Sequence, residues 1–392
     1  MALSVVEARL LPGFRVAKVA DAPGFITSIA FDSRDTLFFS TTVGGIYRVD
    51  SGIVREVARV DTANDGNAVL LGIAFINDRE VVTHHVVPDL IAEAFDIVNV
   101  DTGEVRSLAR IPCNNGTICE SEHHGGNPVV GADGSVYVGI GDFGGGSLAQ
   151  VPSSPAGKIF RISPDGVVSL FALGFRNPFD LVVDEPSGRL IVSDNGPTGG
   201  DEIHVVGQDD NAGWPLTFGD QPPSAGTVPP VFSFAETVAP TGLARVRKVD
   251  SLPFDGLLSA AFVTGAIYYF PHPVEPTFAP PTTILSDDYG ALLDVAQNRK
   301  GEIYFATGDA IYRLQLPIRG DVNGDGAVDD RDAVALIQEI FDGDGDQTLD
   351  AHLGSYAGSW GADVNNDGLI DSRDQSALVR LRSSRLRAAR RP

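Results

Sequence analysis

Hydrophobic and polar positions alternate in short runs along residues 1–316 of the chain. Each repeat of the pattern contains an apolar strand, a turn with Asp, Gly or Asn, a second apolar strand, and a third strand that often reads Ile-Tyr-Arg. A period of two over about 4–8 residues is typical of half-buried β-strands. The copies begin near Ile29, Leu71, Pro128, Leu181, Thr241 and Leu293. The sequence therefore predicts short antiparallel strands in repeated groups.

The regular spacing of these groups indicates the architecture. Six units of roughly 50 residues with one strand order favour an all-β six-bladed β-propeller over a sandwich, whose third strand would not recur so regularly. The blades of a propeller surround a central channel and their loops gather at its ends, so residues far apart in sequence meet there. We expect this propeller to occupy residues 1–316.

The pattern changes after residue 316, where two stretches match a twelve-residue calcium loop. In Asp321–Asp332, oxygen-bearing side chains stand at positions 1, 3, 5, 9 and 12, and Gly326 takes the tight turn at position 6. Asp363–Asp374 repeats this arrangement 42 residues further on. The predicted ligands are Asp321, Asn323, Asp325, the Ala327 carbonyl, Asp329 and Asp332 in the first loop, and Asp363, Asn365, Asp367, the Leu369 carbonyl, Asp371 and Asp374 in the second.

Apolar residues at helical spacing follow each loop, with Leu336 and Ile340 after the first and Leu378 and Leu381 after the second. This combination predicts a small all-α, calcium-binding module with paired EF-hand-like loops at residues 317–374. A final helix and an arginine-rich tail follow at residues 375–392. Because such a module is too small for a large core, its folding is expected to depend on calcium.

Charge and cysteine content limit the partners and the cellular location that we expect for the protein. The 52 acidic and 29 basic residues give a net charge of -23, which repels nucleic acid phosphates, so no nucleic-acid partner is expected. No apolar run is long enough to span a membrane. Cys113 and Cys119 flank a turn-forming insert, so they either close a small disulfide loop or remain two free thiols. We expect an extracellular or cell-surface location, with any leader outside this sequence.

Polar motifs interrupt the strand pattern between Glu122 and Pro215. They are Glu122-His123-His124-Gly125-Gly126, Arg176-Asn177-Pro178, Gly196-Pro197 and Asp201-Glu202. A histidine beside a carboxylate is suited to proton transfer, because its pKa lies near neutrality and the carboxylate fixes its tautomer. Simpler interpretations stay open, namely hydrogen-bonded loop histidines, a capped strand corner at Arg176 and a solvated turn at Asp201.

These motifs, together with Leu11-Pro12-Gly13-Phe14, resemble the soluble sugar dehydrogenases that use pyrroloquinoline quinone, the glucose/sorbosone dehydrogenase propeller family. The resemblance implies that His123 is a general base that removes the proton of the anomeric hydroxyl, and that Glu122 supports it. The implied cofactor contacts are the side chains of Arg176 and Asn177 and the carbonyls of Gly196 and Pro197, which would bind the calcium that holds the quinone. The implied ligands of a structural calcium are Asp201 and Glu202.

The same resemblance exposes missing charges. The quinone is a tricarboxylate, and a dry pocket needs several cations to hold it. The family supplies a lysine and two arginines from its last two blades, whereas the matching strands here, Ala261–Ile267 and Ala291–Val295, contain none. A further family arginine is replaced by Asn127. The cations that could reach the site from elsewhere are Arg245, Arg247 and Lys248.

The paired calcium loops resemble a type I dockerin, a module that docks onto cohesin domains of a scaffold protein. The resemblance implies that Asp330-Arg331 and Ser372-Arg373 contact the partner. Two functions follow for the whole chain. One is a quinone-dependent dehydrogenase that oxidises an aldose and is attached to a scaffold. The other is a non-catalytic propeller that has lost the quinone and binds carbohydrate or protein.

Overall fold

The computed structural model describes most of the chain. The described ranges are residues 10, 14–66, 68–113, 119, 122–184, 187–247, 255–271, 280–286, 289–316, 318–323, 325–342, 361–365 and 370–389, without the side chains of 342 and 385–389. The sequence motif at Leu11–Gly13, Lys248 and the predicted loop ligands Asp367 and Leu369 lie outside them.

Within the described residues, twenty-four strands form six four-stranded antiparallel sheets, which confirms the predicted six-bladed propeller. The first described strand is β1 (Arg15–Asp21). Blade 1 contains β2 (Ile26–Phe31), β3 (Leu37–Thr41), β4 (Gly45–Asp50) and β5 (Ile53–Arg59). Blade 2 contains β6 (Leu70–Phe75), β7 (Glu80–Val86), β8 (Ala92–Asn99) and β9 (Val105–Pro112). Blade 3 contains β10 (Val129–Val130), β11 (Val136–Ile140), β12 (Lys158–Ile162) and β13 (Val168–Leu173).

The second half of the propeller repeats this order. Blade 4 contains β14 (Pro178–Asp184), β15 (Arg189–Asp194), β16 (Asp201–Val206) and β17 (Phe232–Phe234). Blade 5 contains β18 (Pro240–Val246), β19 (Gly256–Ala261), β20 (Ile267–Pro271) and β21 (Thr282–Leu285). Blade 6 contains β22 (Leu292–Gln297), β23 (Ile303–Thr307) and β24 (Ala310–Gln315), and β1 adds its outermost strand.

The propeller closes in two ways. The first strands β2, β6, β10, β14, β18 and β22 each contact the first strand of the next blade, and β22 contacts β2, so together they surround the channel. At the periphery β1 pairs with β24 from Arg15 opposite Gln315 to Asp21 opposite Ala310, which joins the start of the domain to its end. The apolar pattern fits this arrangement, because β3 is buried throughout while the outermost β5 keeps exposed positions.

The C-terminal region has two helices, α1 (Asp330–Asp342) and α2 (Ser372–Ala389). Each begins at the end of a predicted calcium loop, and the two pack through a small core that includes Leu336 and Leu378. Arg15 of the propeller reaches this module, where its guanidinium donates to Asp321 Oδ2 at 3.2 Å. No helix in the described part of the chain is long and apolar enough to cross a membrane.

Candidate functional site

His123 lies in the loop before β10 and contacts a buried carboxylate. Its Nδ1 is 2.6 Å from Asp142 Oδ1, and Asp142 Oδ2 accepts the Trp214 indole N–H at 2.8 Å. The Gly144 N–H also donates to Asp142 Oδ1. Because these donors fix the carboxylate, it can hold the imidazole in one orientation and tautomer. The His123 side chain is 16% exposed, so a ligand can still reach the ring.

Asp142, and not Glu122, is therefore the carboxylate that contacts His123. Glu122 is exposed, because the backbone at His123 has a φ of 52° and turns the preceding residue away. Asp142 follows β11 in the stretch Gly141-Asp142-Phe143-Gly144. A Cβ at Gly141 would lie 2.0 Å from the His123 carbonyl oxygen, so only glycine permits this approach. An acid between glycines at a strand end is the sequence signal that could have identified Asp142.

Arg176 connects the His123 wall to the next loop. Its carbonyl accepts the Asp142 N–H at 2.8 Å, and its guanidinium donates to the Asn195 carbonyl at 2.9 Å. The guanidinium carbon also lies 5.8 Å from the centre of the Trp214 ring, within cation–π range. A continuous chain of contacts thus brings together His123, Arg176 and the turn that begins at Gly196, three of the predicted site positions.

Asn177, the next predicted residue, fastens two loops. Its Oδ1 accepts the Gly125 N–H at 3.0 Å, and its own N–H donates to Asp194 Oδ1 at 2.6 Å. Asp194 is buried, and burial together with the negative charge of Glu202 raises the pKa of Asp194 to about 7. The Asn177 amide therefore holds the glycine turn after His123 against blade 4.

Asp201 and Glu202, which the resemblance implies as ligands of a structural calcium, have different surroundings. They are consecutive in β16, so their side chains leave opposite faces of the strand. The Asp201 carboxylate accepts the N–H groups of Gly196 at 2.9 Å, Val238 at 2.7 Å and Ala239 at 2.8 Å. Asp201 thus shapes the Gly196 turn and its neighbour from blade 5 through backbone contacts.

Glu202 instead belongs to a buried cluster with Asp194 and His204. One ligand atom from each of the three lies within 4.8 Å of the others, and Glu202 Oε2 is 3.1 Å from His204 Nε2. Burial lowers the pKa of His204, but the charge and hydrogen bond of Glu202 together with the charge of Asp194 outweigh it, so the pKa is raised. The cross-strand pairing of Asp194 with Glu202 produces this cluster, which the linear motif could not show.

His124 points away from His123 into a second buried network. Its Nδ1 is 2.6 Å from Glu93 Oε1, and His84 Nε2 lies 3.3 Å from Glu93 Oε2. Burial alone would raise the pKa of Glu93, but the contacts with His124 and His84 outweigh it and lower that pKa to about 2. A disulfide between Cys113 and Cys119 lies in the same apolar cluster as Phe95, which stacks on His84. Because His124 is adjacent to His123, its contact with Glu93 holds the loop that contains His123 in place.

A cavity of about 500 Å³ opens at the channel mouth beside these residues. Its described lining contains no lysine or arginine, and its histidine, His124, is held by Glu93. The lining includes the aromatic residues Phe25, Phe179 and Phe262, the amides Asn64, Asn177 and Asn195, the hydroxyl residues Thr27, Thr42 and Thr241, and the aliphatic residues Val69, Leu71 and Leu293. Phe25 and Phe262 are 47% and 44% exposed, so they form part of the rim.

The first C-terminal loop has the donor set that calcium prefers. Asp332 accepts the N–H groups of Val322, Asn323 and Asp329 at 2.8, 3.2 and 2.7 Å, which closes the loop around its own last residue. Asp321 is buried, and its Oδ1 has no hydrogen-bond partner. Burial, with the negative charges of neighbouring loop carboxylates, raises the pKa of Asp321. Converging carboxylates and an unpaired buried oxygen fit a bound calcium ion.

The second loop repeats this geometry where the structure describes it. Asp374 accepts the N–H groups of Asn365 and Asp371, each at 2.9 Å. Burial is the largest cause of a raised pKa at Asp374, and the charge of Asp363 adds to it. The equivalent roles of Asp332 and Asp374 follow from the repeated sequence.

The described geometry defines a six-bladed propeller with a polar site at one mouth and a module of paired calcium-type loops. Both parts of the chain match known families. Residues 27–314 match the glucose/sorbosone dehydrogenase family, and residues 319–381 match the dockerin type I domain. The chain therefore belongs to the glucose/sorbosone dehydrogenase family and carries a type I dockerin domain.

Individual relatives cover less of the chain. It is 33% identical over 129 residues to quinoprotein glucose dehydrogenase B of Acinetobacter calcoaceticus, which is 25% of this chain and 27% of that protein. It is 28% identical over 157 residues to an aldose sugar dehydrogenase of Escherichia coli (strain K12), covering 33% and 42%. The chain thus matches under half the length of these relatives.

Solved structures agree on the fold. A quinone-bound aldose sugar dehydrogenase from Streptomyces coelicolor gives a TM-score of 0.68 at 23% identity, over 79% of this chain and all of that one. The apo form of the soluble aldose sugar dehydrogenase from Escherichia coli gives 0.66 at 21% identity, over 78% and 100%. At these identities the likeness shows the propeller fold.

The residues at the mouth do not fit pyrroloquinoline quinone. Three carboxylates in a cavity need cations, and the described lining offers none. Leu293 lies on the cavity wall, within the segment Ala291–Val295 in which the resemblance implied arginines. Arg176 is held by the Asn195 carbonyl and Trp214, Arg245 pairs with Asp255, and Arg247 is exposed.

Proposed function

We propose that the propeller binds an uncharged sugar at the channel mouth and does not hold the quinone. The observation that carries this proposal is the neutral cavity of about 500 Å³ lined by amides, hydroxyls and aromatic rings. Asn and Thr side chains can donate to and accept from sugar hydroxyls, while Phe25 and Phe262 offer flat apolar faces for the C–H side of a pyranose. No ionic group is required for such a ligand.

A second candidate is quinone-dependent oxidation of an aldose, as the names of the curated relatives suggest. The specific observation in its favour is the His123–Asp142 pair, which has the geometry of a histidine oriented by a buried carboxylate. In that case His123 would accept the proton of the sugar hydroxyl at Nε2, while Asp142 would hold Nδ1. Added quinone would itself be the electron acceptor in that reaction.

We also propose that the dockerin binds calcium and attaches the propeller to a cohesin-type partner outside the cell. Arg331 and Arg373 occupy equivalent places, position 11, in the two loops, and each pairs with the preceding loop carboxylate, Asp329 or Asp371. Both arginine side chains are exposed. This repeated exposed charge favours a partner that could read either half of the module.

Calorimetric titration of the full chain tests the choice between sugar binding and quinone binding. The ligands are glucose, cellobiose and gluconate, and pyrroloquinoline quinone with calcium. We expect saturable binding of a neutral sugar, weaker binding of the anionic gluconate and no saturable binding of the quinone. Phe262→Ala should weaken sugar binding about tenfold, whereas Phe341→Ala, an exposed phenylalanine on the dockerin helix, should not change it.

An oxidation assay with added quinone and an artificial electron acceptor completes the test. Quinone-dependent turnover that His123→Ala abolishes would reject our proposal in favour of the second candidate. Failure of every neutral sugar to bind would reject both sugar-based functions for this cavity.

A further inference from the structure

Five of the six first strands place one residue each in a ring beneath the channel mouth, and Asn127, just before β10, completes it. The ring consists of Ser28, Gly72, Asn127, Asp180, Gly242 and Asp294, and apart from Asn127 each directly follows a residue that lines the mouth. Five of the six first strands have a register irregularity at this point, which marks the level at which the strands converge. Below the ring lies a second cavity of about 320 Å³, at whose wall Ser28, Asn127, Asp180 and Asp294 meet.

Two buried carboxylates face each other across this ring. Asp180 Oδ2 accepts the Leu243 N–H at 2.6 Å, while a Cβ at Gly242 would lie 2.4 Å from Asp294 Oδ1. Asp180 and Asp294 therefore flank the same short backbone segment of blade 5. Asp294 Oδ2 also accepts the Ile29 N–H at 2.7 Å. Every carboxylate is held by backbone donors, which cannot neutralise its charge.

Neither ring carboxylate forms an ion pair with a described side chain. Arg245 lines the same lower cavity, where its Nη2 is 3.4 Å from Asp255 Oδ1 and its buried Nη1 has no hydrogen-bond partner. Asp180 and Asp294 are both buried, at 5% and 3% exposure. Two buried carboxylates that are close together repel each other when both are ionised, and a bound cation would offset this repulsion.

A neutral side chain in the same ring points to the missing partner. Asn127 is 5% exposed and reaches both carboxylates, yet its Oδ1 has no hydrogen-bond partner. Ser28 also contacts Asp294. The ring thus offers oxygen ligands from side chains. A Cβ at Gly72 or Gly242 would lie 2.4 Å from Asn127 Oδ1 or Asp294 Oδ1, so the two glycines let these side chains enter the ring.

We propose that this ring binds a hard cation such as Ca²⁺ through Asp180, Asp294, Asn127 and Ser28. Oxygen-only donors with two carboxylates suit calcium, whereas zinc and other borderline metals favour nitrogen or sulfur ligands. The ion would neutralise the pair and tie blades 1, 3, 4 and 6 together beneath the sugar cavity. This site is separate from the Asp194–Glu202–His204 cluster and from both dockerin loops.

Calcium counting by elemental analysis and calorimetry tests the proposal on the full chain. Asp332→Asn with Asp374→Asn removes the last ligand of each dockerin loop and serves as the background. In that background we expect calcium to remain bound and to raise the thermal unfolding midpoint of the propeller by several degrees. Adding Asp180→Asn and Asp294→Asn should remove about one calcium ion per chain. It should also abolish the share of the calcium-dependent rise in the unfolding midpoint that comes from the ring ion.

The matched control is Glu202→Gln, which alters the separate acidic cluster and should leave the ring ion in place. An unchanged ion count after both ring substitutions would overturn the proposal. If the ring variant does not fold, the background chain still decides, because absence of bound calcium there rejects a ring site. Stabilisation of the ring variant above neutral pH, regardless of calcium, would show that the carboxylates share a proton instead.

Discussion

The calcium loops and the channel mouth are assembled in opposite ways. In the first loop, Asp321 and Asp332 lie within twelve consecutive residues, and their oxygens converge because the chain turns locally. At the mouth, by contrast, neighbours such as Phe25 and Leu293 come from opposite ends of the propeller sequence. A local site can be deduced from spacing, whereas a site between blades depends on the register of every blade.

The two regions differ in the charge of their side chains as clearly as in chain connectivity. The loop gathers carboxylates and leaves Asp321 Oδ1 buried without a partner, so it requires a cation. The mouth has neutral amides, hydroxyls and aromatic rings and no described lysine or arginine, so it fits neither an anion nor a metal on its own. Each proposed ligand follows from the charge that the site lacks or contains.

The largest expected effect is the loss of the dockerin fold without calcium. Chelation should remove the helical circular dichroism signal of α1 and α2 almost completely, because the small core around Leu336 and Leu378 cannot offset the repulsion of unneutralised loop carboxylates. Asp332→Asn should act like chelation on the first loop. Spectra of the full chain with and without chelator provide the measurement.

The control for this prediction is Asp330→Asn, which removes an exposed carboxylate next to the ligand set and should retain the calcium response. A helical signal and melting curve unchanged by chelator would show that the loops do not need the ion. The calcium loops, like the channel mouth, would then be stabilised by packing alone.

The sequence predicted the fold well because both of its patterns are local. Alternation and its repeat period identified the blades, and the loop spacing identified the calcium module. The resemblance to the family assigned Glu122 to His123, while the carboxylate in contact with His123 is Asp142, from the loop after β11. The resemblance also gave Asp201 and Glu202 one role, whereas their side chains leave opposite faces of a strand. Both contacts depend on how loops and strands pack in three dimensions, which a linear motif does not show.

The second-largest expected effect concerns the buried network of Glu93, His124 and His84 beside the channel mouth. Glu93→Gln should destabilise the propeller by about 3 kcal/mol near neutral pH, because it removes one charge from a buried contact with His124 and His84. The folded-state pKa of Glu93 is lowered to about 2 from 4.5. Its contribution is therefore fully present above pH 4.5 and lost as the pH falls toward 2.

Denaturant unfolding of both proteins across this pH range measures the difference. The gap between Glu93→Gln and the unsubstituted chain should narrow steadily below pH 4.5. A gap that stays constant would mean that Glu93 contributes through shape and not through its charge. Glu122→Gln, at an exposed position in the loop that contains His124, is the control and should cost little.

The disulfide is expected to contribute less. Reduction of Cys113–Cys119, or their joint replacement by Ala, should lower the free energy of unfolding by about 2 kcal/mol, since the bond closes a short loop with a sequence separation of 6. Mass spectrometry under non-reducing conditions should find the linked peptide in protein from its native compartment. Two alkylatable thiols there would remove this contribution and weaken the case for an oxidising location.

The smallest effect is the sharpest test of the comparison, because it changes the charge of the mouth directly. Leu293→Arg introduces a cation into the neutral lining, and Leu293→Met is the control of similar volume. The arginine variant should bind a neutral sugar about tenfold more weakly, or about 1.4 kcal/mol, because the ligand must compete with a hydrated guanidinium.

The same substitution should reverse the preference between neutral and anionic ligands. Gluconate should lose less affinity than glucose, or gain affinity, since its carboxylate can pair with the new cation. Calorimetric titration of both sugars against both variants gives the four values needed, and circular dichroism verifies that each variant is folded. Equal glucose affinity in the arginine and methionine variants would place the sugar outside this cavity. A shift of preference toward gluconate would instead establish that the charge of the mouth selects the ligand.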